Sequence, residues 1–330
     1  MNKMEGMSTA SSKPPVSLKN LPINLFASVM GISGLSLAWR LAAHEFRTNI
    51  WISHGIGIVA FGVFLLLAMG YAVKFLKHPE VVRNEFHHPI AGNFFGTINI
   101  SILLLSSVIT PLSIPAAQVL WTIGSMGTVA LAFIIISRLL RGKIDPGHAV
   151  PAWLIPGVAT LDITVAGGTM PMAWARELNL FALAVGGFVA LVFFTLILSR
   201  LLHHPEKLAN GMIPSLMILM APFPVGFLAY TNFTHRVDDF AAILFYFGLF
   251  LSLTLIFKVF KRDIPFSAGW WAVGFPLAAL AIAALKYAAA VHLWPLSWLA
   301  IALLAFLSAV ISVLFIRTLR LLFNGSLLRV

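Results

Sequence analysis

"WWAVGFPLAALAIAALKYA", residues 270–288, has the length and apolarity of a helix that crosses a bilayer. Yet it carries Phe275-Pro276 near its middle and Lys286 near its end. A helix whose whole surface meets lipid needs neither feature. Proline removes a backbone donor and crowds the carbonyl one turn back, and acceptors freed that way are tolerated in a bilayer only where protein or water meets them. A lysine in a membrane helix costs at least about 2.5–3.5 kcal/mol unless it finds a partner or water. The stretch therefore reads as an interior helix of a larger membrane assembly. Residues 181–202, "FALAVGGFVALVFFTLILSRLL", read the other way: no proline, rich in Leu, Phe and Ile, suited to lipid.

That contrast alternates along the chain. Turn signals and apolar runs of about 20 residues, the span of about 30 Å of hydrocarbon, give ten spans. They cover 22–43, 51–76, 89–110, 115–140, 149–169, 174–201, 208–232, 238–260, 267–290 and 294–318. The even spans lack internal proline. The odd spans hold the irregular residues: Pro156 and Gly157 in the fifth, Pro222 and Pro224 in the seventh, Pro276 in the ninth, and Asn93, Gly96, Thr97, Asn99 and Ser101 in the third. The expectation is an all-α integral membrane protein of five antiparallel hairpins, with proline-kinked odd helices inside and even helices facing lipid or neighbouring subunits. "FLKHPEVVRNEFHHPIAGNFF" after span two resembles "LLHHPEKLANGMIPSLMI" after span six, which points to the hairpin as a repeated unit.

Composition agrees. Of 330 residues, 60% are hydrophobic and 10% charged, against about a quarter charged in soluble domains. Seventeen of the 22 Lys and Arg fall on one side of the ten spans; the other five are Arg40, Arg47, Arg176, Arg236 and Lys286. The positive-inside rule then puts both termini in the cytoplasm. The net charge of +11 records this topology and contact with anionic headgroups, not nucleic acid. All nine tryptophans lie near predicted helix ends, as an interfacial belt would. Residues 1–20 read as a polar cytoplasmic segment, disordered before about Ser17. Residues 21–320 form the transmembrane domain and 321–330 a cytoplasmic tail. The N-terminal segment lacks the apolar core of a signal peptide, so the first span is expected to direct membrane targeting.

The absence of cysteine excludes disulfides and thiolate chemistry. No Ser-His-Asp set, phosphate loop or paired carboxylates stand out, so an enzyme and a cofactor are not expected. His87-His88-Pro89 and His203-His204-Pro205 lack a carboxylate at metal spacing, and no metal site is assigned. Asp162 and Lys286 lie within spans, with Arg40 near the end of another. Asp162 with Lys286, or Asp162 with Arg40, are the candidate pairs, as a brace between inner helices or as part of a path.

Five segments on the odd spans carry a resemblance: "LPINLFASVMGISGLSLAWR" (21–40), "FHHPIAGNFF" (86–95), "VPAWLIPGVA" (150–159), "IPSLMILMAPFPVG" (213–226) and the opening stretch. In that order they resemble the tellurite-resistance and dicarboxylate transporter family, which includes bacterial TehA and the plant slow anion channels. The resemblance implies ten helices in quasi-fivefold array, odd helices around a pore, and a homotrimer in the bacterial inner membrane. It also implies a phenylalanine plug in the ninth span, here Phe275, beside a first-span glycine that Ala27 replaces in this chain. Pro276 would bend the helix and present Phe275 to the lumen. Thr97, Ser101 and Thr160, with Pro156, Pro222 and Pro224, are the candidate pore-lining residues. The implied function is conduction of small monovalent anions, nitrate and chloride. The alternative is a carrier exporting tellurite, sulfite or a C4-dicarboxylate.

Overall fold

A computed structural model describes residues 17–142, 145–206 and 208–329. Its first helices are α1 (Phe26–Phe46), α2 (Ile50–Lys77), α3 (Pro79–His87), α4 (Gly96–Ile109), α5 (Ile114–Leu140) and α6 (Ile155–Gly167). There follow α7 (Ala175–His203), α8 (Pro222–Thr234), α9 (Asp239–Val259), α10 (Gly274–Val291) and α11 (Trp294–Phe323). The described residues contain no strand.

The odd and even spans differ in construction as well as composition. The even spans are the uninterrupted helices α2, α5, α7, α9 and α11, of 21–30 residues. Each odd span is a composite: a 3-10 stretch that passes into α-helix. The 3-10 stretches are Ile23–Leu25, Ala91–Phe95, Pro151–Leu154, Asn210–Met220 and Ala268–Val273, leading into α1, α4, α6, α8 and α10. A 3-10 helix rises about 2.0 Å per residue against 1.5 Å for an α-helix. The shortest span, Pro151–Gly167, therefore still covers roughly 27 Å.

This corrects the expected role of the prolines. Pro156, Pro222, Pro224 and Pro276 do not kink the middle of continuous α-helices. They sit in the first turn of α6, α8 and α10, directly after the 3-10 stretch. A first-turn proline gives up a donor the helix does not use and has the right φ already. The prolines thus mark the mid-span junction where one helix type becomes the other.

The composite helices form a closed ring. α1 packs on α4, α4 on α6, α6 on α8, α8 on α10, and α10 back on α1. Each outer helix packs on its own inner partner and on the inner helix of an adjacent hairpin: α2 on α1 and α4, α5 on α4 and α6, α7 on α6 and α8, α9 on α8 and α10, α11 on α10 and α1. That repeated pattern is a quasi-fivefold double ring, as the family resemblance implies. Burial follows it: the apolar windows of four inner spans are 56–83% buried and those of the outer spans 17–39%.

Small residues close the seam between α1 and α10. A Cβ added to Gly34 would stand 2.5 Å from the Ala278 Cβ, and one added to Gly31 would stand 3.4 Å from the Gly274 Cα. Lipid tails give no hydrophobic drive between membrane helices, so backbones this close are held by van der Waals contact.

A buried polar cluster braces the end that holds the chain termini. Lys74 and Glu85 form an ion pair at 2.7 Å, with side chains only 3% and 16% exposed. Lys74 Nζ also donates to Leu21 O, the Tyr71 hydroxyl donates to Glu85 Oε2, and Ile23 N donates to Glu85 Oε1. Glu85 comes from α3, a nine-residue amphipathic helix that the sequence reading treats as loop.

Two further expectations change. Trp51, Trp174, Trp294 and Trp298 are exposed, but Trp121, Trp153, Trp270 and Trp271 are buried, so the aromatic belt is partial. The indoles of Trp121 and Trp271 instead donate to Ile163 O and the Thr318 hydroxyl, tying helices together, and that of Trp270 donates to Pro265 O in the preceding loop. The last helix continues to Phe323, so the predicted 321–330 tail is partly helical, with a 3-10 turn at Ser326–Leu328. Ser17 N and Asn20 Nδ2 both donate to Leu328 O, which brings the two ends of the described chain together. The proposed disorder before Ser17, and Lys3, Lys13, Lys143 and Lys207 of the charge count, lie outside the described residues.

Candidate functional site: an axial path

Two cavities lie on the axis of the inner ring, and each takes lining residues from all five composite spans. One is a vestibule of about 410 Å³ at the α-helical end of the ring, away from the described chain ends. Gly34 and Arg40 of α1, Leu104 and Ser107 of α4, Asp162 and Val165 of α6, Leu228 and Asn232 of α8, and Phe275 and Lys286 of α10 contribute to its wall. The other is a pocket of about 30 Å³ near the 3-10 junctions. Ala27, Met30, Thr97, Val158, Ala221 and Trp271 line it, together with Phe275 and Pro276.

Phe275 is the residue shared by both cavities, and it is buried between them. Its position follows from the helix construction. Phe275 is the second residue of α10, as Ala27 is of α1, Thr97 of α4 and Pro156 of α6. The junction places corresponding residues of the repeat at one level of the ring. Ala27, Thr97 and Ala221, directly before α8, give the pocket small side chains, whereas α10 contributes the Phe275 ring and the third span that of Phe94. The close α1–α10 seam at Gly31, Gly34, Gly274 and Ala278 leaves the ring no room between those two helices.

The small pocket is apolar. Its one hydroxyl, on Thr97, donates to Phe94 O at 2.6 Å, so its hydrogen is already used. A cavity needs about 10–15 Å³ to hold a water, and that water needs two to four polar partners. Volume is sufficient here, but partners are wanting.

The vestibule gathers the intramembrane charges, in an arrangement that differs from the candidate pairs. Among the described residues Asp162 pairs with neither Lys286 nor Arg40. Arg40 donates to Ser107 O at 2.8 Å and to Val108 O at 3.3 Å, in the last turn of α4. Lys286 Nζ donates to Asn232 Oδ1, and Asn232 Nδ2 donates to Val165 O at 2.8 Å, in the last turn of α6. Helix C-termini carry unpaired carbonyls and a partial negative charge; Arg40 bonds such carbonyls directly, and Lys286 is joined to them through the Asn232 amide. Asp162 is 1% exposed, and its Oδ2 has no hydrogen-bond partner.

Of the candidate lining residues, Thr97 lines the small pocket, and Ser101, Pro156, Thr160, Pro222 and Pro224 line neither axial cavity. Ser101 donates to Phe26 O and Thr97 O, joining α4 to α1, and Thr160 donates to Pro156 O one turn back. Pro222 lines a lateral groove with Phe194 and Phe223, and Pro224 packs on Gly248 of α9. In a helix without water, a hydroxyl turns to the nearest carbonyl, so small polar residues in an inner span are poor markers of a lumen. Sequence reading did not single out Asn232, Trp271, Val158 or Ala221. A polar Asn232 within a span was the available signal; the three apolar residues carried none. Among the described residues no group of three or more His, Asp or Glu side chains is placed to hold a metal.

Comparison with known proteins places this architecture. The family model described as SLAC1, voltage-dependent anion channel, matches residues 20–319. The S-type anion channel SLAH3 of Arabidopsis thaliana is 27% identical over 91% of this chain; the chain spans 48% of that longer protein. The tellurite resistance protein TehA homolog of Haemophilus influenzae is 28% identical over 81% of each chain. An uncharacterized transporter of Methanocaldococcus jannaschii is 27% identical, covering 79% of this chain and 82% of its own length. A match over nearly the whole membrane region, on a double ring built from ten apolar spans, identifies this multi-pass membrane protein as a member of the SLAC1 family of anion channels and transporters.

Proposed function

We propose that this protein is a passive channel for small monovalent anions, nitrate and chloride among them, with Phe275 as its gate. The observation that carries the reading is that Phe275 is the one lining residue common to two axial cavities, each lined by all five inner spans. A phenyl ring offers nothing to a hydrated anion, so it obstructs by bulk and by dewetting. Rotation of that ring joins vestibule to pocket without moving a helix. Ala27 adds a methyl to the same pocket and narrows the space the ring can swing into.

The vestibule supports anion permeation through its cations. Lys286 and Arg40 are half-buried and bonded to neutral acceptors, so their charge is not cancelled by an ion pair. They raise the local anion concentration without forming a tight site, and weak binding favours throughput. The excess of Lys and Arg on the side of the termini supports a bacterial inner-membrane protein with both ends cytoplasmic. Family resemblance supports a homotrimer.

Single-channel recording in planar bilayers with anion substitution tests the proposal, wild type beside Phe275→Ala. Anion-following reversal potentials and larger currents in the variant are expected. A reversal potential that follows potassium would sink the anion assignment, and an unchanged current from folded variant would sink the gate. The similarity to a TehA homolog supports a second reading, a carrier for tellurite, sulfite or a C4-dicarboxylate. A carrier gives slow, saturating flux and no unitary currents.

A further inference from the structure

A second polar cleft, of about 450 Å³, opens where α5 ends and the third and fifth spans begin; it shares no lining residue with either axial cavity. Arg138, Arg141, His87, His88 and His148 line it, with Asp145 as its one carboxylate. A basic loop at a membrane surface needs no explanation beyond topology. A basic residue held in a fixed pose does. The Arg138 guanidinium lies 4.3 Å over the centre of the Phe86 ring, and its Nη1 donates to Phe86 O at 2.8 Å. Two contacts to one residue fix the plane of the fork. The remaining N–H groups of Arg138 have no protein acceptor among the described residues.

The neighbouring groups are equally settled. His88 Nδ1 accepts from Ile90 N and Ala91 N at 3.2 Å, which puts the proton of its neutral ring on Nε2. His87 donates from Nδ1 to Arg83 O at 2.7 Å. Asp145 Oδ1 accepts from Gly147 N at 2.8 Å, in its own turn. Arg141 follows Arg138 by three residues at the end of the helix, and its side chain bonds to nothing among the described residues. The donors of the cleft, the two guanidinium groups and His88 Nε2–H, outnumber its free acceptors, Asp145 Oδ2 and the neutral His87 Nε2. It is far too large for a halide, and paired guanidinium forks suit an anion with several oxygens in fixed geometry. It lies at the end of an apolar helix whose last leucine, Leu140, is 82% exposed, the level at which lipid headgroups sit.

We propose that this cleft is a phosphate-binding site, built on Arg138 and Arg141, for the phosphate of an anionic lipid headgroup or of a free phosphate.

Native mass spectrometry of the purified protein tests it. Protein from phosphatidylcholine nanodiscs is compared with protein from nanodiscs that also contain phosphatidylglycerol. Parallel phosphatidylcholine samples receive inorganic phosphate, with thermal stabilisation as the readout. Wild type is expected to retain phosphatidylglycerol or to be stabilised by phosphate. Arg138→Gln/Arg141→Gln should weaken the effect about tenfold, as loss of charge-assisted hydrogen bonds implies. Lys258→Gln/Lys261→Gln, on the same membrane face but outside the cleft, should leave it unchanged. Retention of lipid without stabilisation by phosphate identifies the headgroup as source, and the reverse identifies free phosphate. Neither effect in wild type, or equal loss in both double variants, overturns the proposal. Should the Arg138 variant fail to fold, Arg141→Gln decides alone, because that side chain braces nothing: a weaker effect upholds the site and an unchanged one removes it.

Discussion

The axis of this protein is two different environments on either side of one side chain. The vestibule holds about 410 Å³, two cations and a buried carboxylate. Across Phe275 the pocket holds about 30 Å³ and no free polar group. Both are walled by the same five helices, so the difference does not come from which helices surround the path. It comes from where along those helices the 3-10 stretch gives way to α-helix. At the junction the chain turns small or apolar side chains inward; two or three turns later it turns inward Asp162, Asn232 and Lys286. On the proposed function, anion attraction and obstruction fall to separate levels of one ring, and each can be altered without the other.

Four experiments would break or sharpen that contrast. The largest effect is expected from Phe275→Ala, which merges the two environments. Lowering a mid-path barrier by even about 1.4 kcal/mol multiplies flux tenfold, so unitary or macroscopic anion current should rise by at least about tenfold. Current unchanged in protein of normal yield would mean that the contrast lies elsewhere.

Glu85→Gln is expected to act on stability. It strands Lys74, 3% exposed, at the end that holds the chain termini. Breaking a buried ion pair from one side costs about 3–5 kcal/mol; with Glu85 partly exposed, the lower end of that range is expected. Thermal unfolding in detergent should shift down strongly while anion preference in the surviving protein stays as it was. An unmoved melting temperature would remove the brace from this account.

Lys286→Met and Asp162→Asn, each introduced beside Phe275→Ala, alter the wide side alone. The first should lower anion conductance about two- to threefold and the second raise it by a similar factor, in keeping with local concentration in a charged vestibule. Both should leave anion-over-cation selectivity in place. If the lysine variant lost selectivity altogether, the vestibule would be a binding site and not a funnel. The smallest change is expected from Ala27→Gly, which takes one methyl from the pocket beside the phenyl ring. Current should rise no more than about twofold, since a glycine adds room without lifting the ring away. A tenfold rise would transfer the obstruction from Phe275 to Ala27.

The outline of this molecule was open to reading from its residues. Apolar length gave ten spans, and the proline distribution separated inner from outer helices before any contact was known. The prediction that the ring would be proline-kinked failed in an instructive way. Pro156, Pro222 and Pro276 do mark the inner spans, but as first-turn residues after a 3-10 stretch. A proline shows in sequence that a regular α-helical hydrogen bond is missing; it does not show on which side of it the helix changes type. Likewise α3 hides in a charged loop, because nine residues are too few for a 3.6-residue period to stand out from surface polarity.

Sequence by itself determined that the chain crosses a membrane many times, that alternate spans are interior, and that Asp162, Arg40 and Lys286 must be accommodated within them. Those conclusions rest on the cost of putting charge and unpaired backbone into hydrocarbon, which acts on each helix alone. Only the tertiary structure decided which partners accommodate them, and which of the many inner residues meet the axis. Arg40 and Lys286 found helix-end carbonyls and Asn232 where a carboxylate was expected, and Ser101 and Thr160 turned to carbonyls in place of a lumen. Those outcomes depend on the rotation of each helix about its own axis, which is set by close contacts such as Gly34 against Ala278 between segments far apart in the chain. Periodicity along one helix cannot specify that rotation, because an inner span is apolar on nearly every face.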